Sequence, residues 1–266
     1  MQLDHILEYL GIKAQTPSVA LLYALMDGYT KRVPWESASR IARRADVTAT
    51  EDCPRWPDEF WDSALEYGTG GTCFESNYAF SALLTALGFE TYLTINNMGS
   101  TLGCHTACVV TLADQRWLMD AGYPVHVPLP LDPTTATEAV SPYLSYAAVP
   151  DGARRFQIER TPHPKPNCFT LIDLPVPDSD YRAATIADYG VNGLFLDTII
   201  INKLVNGQLC RFTSAEQPFH IQRFVNGYRY DDFIDDPSPE NVATKVAQFF
   251  TIDQTILQRA FANLRH

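Results

Sequence analysis

No run of about 18 consecutive apolar residues occurs in the chain, so no membrane-spanning helix is expected. The opening MQLDHILEYLGIK has neither the basic start nor the apolar stretch of a secretion signal. Positive charge is scarce: 20 Lys and Arg stand against 31 Asp and Glu, and the basic residues gather only in short pairs such as Arg43-Arg44 and Arg154-Arg155. The resulting formal charge of −11 repels nucleic acid and anionic lipid, so neither is an expected partner. The six cysteines, Cys53, Cys73, Cys104, Cys108, Cys168 and Cys210, are irregularly spaced, which excludes a recognisable disulfide framework and leaves reduced thiols as the expectation. There is no internal repeat. Cys104, His105 and Cys108 are not joined by a second ligand pair at a recognisable spacing, so no metal site is expected. The expectation these absences leave is a soluble cytoplasmic protein, and a hydrophobic content of 46% can fill a sizeable core.

Three textures follow one another. Residues 1–90 carry helical periodicity in LDHILEYL, in the segment that Thr16-Pro17 opens before Leu21, Leu22 and Leu25, and in PDEFWDSALEY. A fourth helix is expected from Cys73, with Phe74, Tyr78, Phe80, Leu83, Leu84 and Leu87 as a broad apolar face and Gly88 as its C-terminal cap. Residues 91–190 change to short β-branched and aromatic runs, ETYLTI, HTACVVTL, RWLMDAGY, RRFQIER and CFTLIDL, which predict an antiparallel sheet or barrel. The proline-rich stretch 124–152 reads as a long loop with a helical turn or two around TEAVSPYLSYAA. In 191–266, Asn206-Gly207 and Asn226-Gly227 each lie between two apolar runs as tight hairpins, and helices follow from Ser238-Pro239 and in IDQTILQRAFANL. The expected fold class is α+β: an N-terminal helical bundle (1–90), a central antiparallel β-barrel (91–190) and a C-terminal α/β part (191–266).

The stretch GTGGTCFESN places Cys73 after a glycine loop and at a helix start, where unpaired N–H groups and the helix dipole favour negative charge. Gly70 and Gly71 permit close approach of a substrate to the backbone. On these residues alone, a nucleophile and a small packed cysteine are equally open. A catalytic thiol needs a base and a group to orient it. Among the histidines, His105 stands out because it opens the strand HTACVVTL directly after the glycine-containing NNMGSTLG. Asp120 ends the next strand within an apolar stretch, where an acid requires a partner. A turn near Asp114-Gln115 sets His105 opposite Pro124, leaving Asp120 on the same face but four residues, roughly 13 Å, away.

Taken together, GGTCFESN, HTACVV and WLMDAGY, with VPWES at 33–37, resemble the arylamine N-acetyltransferase family, whose pattern is R-G-G-x-C-F-E-x-N, then His, then D-V-G-F-G. The resemblance implies a helical bundle, a β-barrel and an α/β lid with a papain- and transglutaminase-like core. It also implies a Cys-His-Asp triad of Cys73, His105 and Asp120 in contact despite the hairpin register. The implied reaction is ping-pong transfer from acetyl-CoA to a small-molecule amine, with no metal. Trp35 falls where the family's aromatic residue lines the acceptor pocket, and Ser100, Thr101 and the displaced Gly103 resemble its coenzyme-contacting loop. Thr69 replaces the motif arginine, Ser37 the asparagine of V-P-F-E-N, and Ala121 and Tyr123 alter D-V-G-F-G. Glu36, which that arginine pairs with in the family, must therefore be solvated, partnered elsewhere or part of an altered pocket. An amide synthase or thiol hydrolase using another acyl group, and a silent scaffold acting as a binding protein, are the competing readings.

Overall fold

The computed structural model describes residues 2–123, 125–191, 193–225 and 227–264; Asn226 of the second expected hairpin, and Pro124, expected opposite His105, lie outside them. In chain order the first elements are α1 (Leu3–Leu10), α2 (Val19–Arg32), β1 (Trp35–Glu36), α3 (Ala38–Asp46), α4 (Pro57–Tyr67) and α5 (Cys73–Ala86). Then come β2 (Glu90–Met98), β3 (Thr101–Leu112), β4 (Gln115–Met119), β5 (Leu129–Leu131), β6 (Thr137–Val140), β7 (Ser145–Pro150), β8 (Arg155–Thr161) and β9 (Asn167–Ile172). The chain continues with α6 (Asp178–Ala187), β10 (Ile200–Val205), β11 (Gln208–Thr213), β12 (His220–Val225), β13 (Tyr228–Phe233), α7 (Pro239–Phe250) and α8 (Gln254–Ala262). The fold is α+β. It divides into two compact units, Met1–Thr30 with Cys73–Tyr181 and Lys31–Thr72 with Arg182–His266, so each unit draws on more than one of the segments distinguished in the sequence.

The first unit is built on an antiparallel sheet ordered β5-β4-β3-β2-β9-β8-β7-β6. Its two edge strands meet where Thr137 Oγ1 donates to the Pro130 carbonyl, so the sheet is nearly closed as a barrel. Alternation fills the interior: Phe156 and Ile158 of β8 are buried between more exposed neighbours, and Val109, Leu118, Tyr146 and Phe169 join them in one apolar cluster. The helical turn expected in TEAVSPYLSYAA is instead the β6–β7 hairpin. Ala139, Tyr146 and Ala148 point inward, and the Ser141 hydroxyl accepts the N–H groups of Tyr143 and Leu144 to make the turn. Helix α2 also starts later than expected, because the hydroxyl of Ser18, not Thr16, accepts the Leu21 N–H at 3.2 Å. Helix α5 packs on β2 and β3.

The second unit carries an antiparallel sheet ordered β1-β10-β11-β12-β13. Helices α3, α7 and α8 cover it through Ile41, Val246, Phe250 and Phe261, packed with Ile201 and Phe212 of the sheet. Asn206 and Gly207 have φ of 51° and 74°, the left-handed pair that a two-residue hairpin requires. Pro239 occupies the first turn of α7, and the Asp253 carboxylate caps α8 by accepting from Thr255 and Ile256. Helices α3 and α6 did not stand out in the sequence: the apolar face of α3 is interrupted by Arg40, Arg43 and Arg44.

Candidate functional site

The β3–β4 hairpin brings His105 and Asp120 together by a route that differs from the expected one. Its turn is Ala113-Asp114, one position earlier than expected, with φ of 50° and 61°. The ladder therefore pairs Leu112 with Gln115 and Cys108 with Met119, which projects His105 opposite Gly122. Asp120 is then a diagonal neighbour two residues off, within reach of long side chains, and β4 has already ended at Met119. His105 Nε2 and Asp120 Oδ2 are 2.8 Å apart, and both residues are buried. His105 does not open its strand either. β3 begins at Thr101, because β2 and β3 run on through most of the expected loop, past an irregularity between Asn96 and Met98.

Asp120 is fully used. Its Oδ1 accepts from Asn77 Nδ2 at 3.1 Å and from the N–H groups of Gly122 and Tyr123 at 2.9 Å each, so the buried carboxylate has four partners including His105. Cys73 is the first residue of α5, 6% exposed, and its sulfur also lies 3.7 Å from the Cys104 carbonyl oxygen. Burial opposes a charged His105 ring, but the Asp120 carboxylate and the hydrogen bond with Cys73 outweigh it, and its pKa is pushed up to about 10. With Nε2 held by Asp120, Nδ1 is the nitrogen left for the thiol. Phe169 and Tyr123 wall the imidazole, with ring centroids at 4.4 and 5.9 Å.

Four further residues build this site, and two of them, Asn77 and Gly122, fall at positions of the motifs quoted above. Asn77 donates to the Thr106 carbonyl at 2.6 Å as well as to Asp120, and accepts the Ala121 N–H at 2.9 Å. It lies within GGTCFESN, one helical turn after Cys73, so helical spacing alone could have found it. Thr106 donates to the Cys73 carbonyl at 2.9 Å, and the Tyr181 hydroxyl donates to the Phe74 carbonyl at 2.8 Å while lying 3.0 Å from Thr106 Oγ1. Nothing local marks Tyr181. Gly122 is required by space: a Cβ there would stand 2.5 Å from Cys73 Cα and 2.7 Å from Cys73 Cβ.

Trp35 belongs to the second unit, on β1, paired with Asn202 and with its ring edge-to-face against Phe195 at 5.0 Å. Glu36, beside it, is buried and partnered: its carboxylate accepts from the Ser39 N–H and hydroxyl and from the Gly70 N–H. Ser100 and Thr101 lie at the exposed end of the β2–β3 hairpin, four to five residues or roughly 13–17 Å along the strand from His105. Gly103 has φ of +65°, and its N–H is held by Asn97 Oδ1 at 2.9 Å. Ser100 and Thr101 thus stand away from the triad along the strand, and Gly103 lies two residues before His105. Among the described residues no group of three or more His, Cys, Asp or Glu is arranged to hold a metal ion, and no helix is long and apolar enough to cross a membrane. All six cysteines are free.

A family model described as N-acetyltransferase matches residues 18–218. No curated protein sequence matches the chain. Among solved structures, the arylamine N-acetyltransferase of Mycobacterium abscessus is 20% identical, with 98% of this chain and 95% of that one covered and a TM-score of 0.79. The Mycobacterium marinum enzyme, solved in complex with CoA, is 15% identical over 100% of both chains, with a TM-score of 0.82. A Bacillus cereus arylamine N-acetyltransferase with a Cys-His-Glu catalytic triad is 17% identical over 95% of this chain and 99% of that one, with a TM-score of 0.75. Those identities establish a shared fold; the family model, which spans most of the sequence, establishes descent. The protein belongs to the N-acetyltransferase family, that of the arylamine N-acetyltransferases, and is an enzyme of acetyl transfer.

Proposed function

We propose that the chain moves an acetyl group from acetyl-CoA through a Cys73 thioester to an arylamine, arylhydrazine or similar small amine. The observation that carries this reading is the buried contact of His105 Nε2 with Asp120 at 2.8 Å, beside the sulfur at the start of α5. In the first half-reaction the sulfur forms a bond to the acetyl carbon, the bond to the coenzyme sulfur breaks, and the coenzyme thiol leaves with a proton from His105. In the second, the amine nitrogen attacks the thioester, gives its proton to His105, and restores Cys73. Asp120 keeps the imidazole in one orientation and balances its charge. The backbone N–H groups at the start of α5 serve the oxyanion in this reading. In this reading Trp35 serves the acceptor, and Ser100, Thr101 and Gly103 serve the coenzyme; the CoA complex of the Mycobacterium marinum enzyme supports the choice of donor. Reduced thiols suit a cytoplasmic setting.

Intact-mass measurement after exposure to acetyl-CoA tests the reading. An acetyl adduct should form, vanish on adding arylamine, and be absent in Cys73→Ala. No adduct would refute it. An adduct lost equally fast without amine would assign hydrolysis, and an adduct only with longer acyl thioesters would assign an amide synthase.

A further inference from the structure

We propose that Arg55 is a positioning residue for the nucleophile, gripping from one side the same glycine that Glu36 grips from the other; it rests on the reading of Cys73 as the nucleophile. Arg55 donates to the Gly70 carbonyl at 2.7 Å and to Thr69 Oγ1 at 3.4 Å. Glu36 accepts the Gly70 N–H at 3.2 Å. The two charges are matched to the groups they hold, a guanidinium on the carbonyl and a carboxylate on the N–H, and each such bond is stronger than a neutral one. Both side chains are deeply buried, at 4% and 0% exposure, where water does not compete.

The rest of the segment is fixed to β1. The Glu36 N–H donates to the Gly71 carbonyl at 3.2 Å, and Trp35 and Gly71 form a parallel bridge. Gly70 approaches so closely that a Cβ would overlap the Pro34 carbonyl oxygen. The Phe60 ring lies 5.6 Å from the guanidinium carbon and lends it an aromatic face. The guanidinium sends two of its donors to consecutive residues of a single turn. Cys73 follows Gly70 by three residues, so a shift of that turn is carried along the chain into the first residue of α5. Thr69, the residue that departs from the family motif, receives an arginine from elsewhere in the chain; the hydroxyl in place of a long side chain leaves room for it.

The test measures alkylation of Cys73 by iodoacetamide, read on the Cys73 peptide by mass spectrometry, beside kcat, KM and the thermal midpoint, in Arg55→Met and Arg55→Lys. Arg55→Met should slow both alkylation and kcat by about tenfold or more while leaving KM for the amine within about twofold, as expected of a displaced reacting atom. Arg55→Lys keeps the charge but loses the fork and should slow alkylation by about threefold. An unchanged or faster alkylation rate in folded Arg55→Met, with only the midpoint lowered, would make Arg55 a stability residue and overturn the proposal. Should Arg55→Met not fold, an unchanged rate in Arg55→Lys overturns the two-point grip. Alkylation needs no acyl donor, so a wild-type chain that takes up no acetyl group but loses Cys73 reactivity on Arg55 substitution would sink the acetyl-transfer reading and leave this one standing.

Discussion

Gly122→Ala adds one methyl group to the tightest point of the site. The Cβ would stand 2.5 Å from Cys73 Cα, 2.7 Å from Cys73 Cβ and 2.5 Å from Asn77 Nδ2, whereas unbonded carbons rest about 3.5–4.0 Å apart. Relief therefore needs a separation of about 1 Å between the segment after Asp120 and the start of α5. Glycine's conformational freedom plays no part, since φ at this position is not in the left-handed range. Overpacking of this kind costs about 1–3 kcal/mol of stability, and a misplacement of about 1 Å at a reacting atom costs about a hundredfold in rate. The expected result is a folded protein with a modestly lower urea midpoint, a Cys73 alkylation rate reduced far more than the midpoint predicts, and kcat down by about two orders of magnitude. A variant with kcat within about twofold of wild type would show that the helix and the hairpin do not need this contact.

Asp120→Asn removes the charge that holds His105 up, so the His105 titration, followed by NMR of its ring protons, should move down from about 10; an unmoved pKa would refute the assignment. Because the folded-state pKa of His105 lies above its unfolded value of about 6.5, its stabilisation is full below that pH and is lost as pH rises toward about 10; His105→Gln should flatten this limb of the urea-midpoint profile. His126 has the opposite sign: burial lowers it to about 4, with the Tyr146 hydroxyl 2.8 Å from its Nδ1, so stability should fall as pH drops from about 6.5 toward 4 and the fall should shrink in His126→Gln. Asn77→Ala strips a donor from Asp120 and the acceptor from the Ala121 N–H, and should cost about 1–3 kcal/mol by urea unfolding together with most of the activity.

The elements with strong periodicity were legible in advance. LDHILEYL, PDEFWDSALEY and the run from Cys73 became α1, α4 and α5, and Asn206-Gly207 became a hairpin, because apolar spacing and turn chemistry act locally. TEAVSPYLSYAA was misread because its alternation of two acquires meaning only when β5 and β8 stand beside it to be paired. Asn77 was within reach of helical spacing. Tyr181 was not, since it meets α5 and β3 only through the folding of more than seventy residues between Thr106 and itself.

The residue types at Cys73, His105 and Asp120, their order and their likeness to one family's motifs were legible in the sequence, since a motif records residue type and spacing. Their contact was not. It depends on a turn at Ala113-Asp114, two residues in the left-handed region of which neither is glycine, so the sequence marked a turn near Asp114 but not its register. Shifting that turn by one position would set Asp120 four residues from the point opposite His105 instead of two, beyond the reach of a hydrogen bond. The partner of Glu36 and the arginine at Gly70 were likewise decided by tertiary structure, because a buried charge takes whatever matching group packing brings to it, wherever in the chain that group lies.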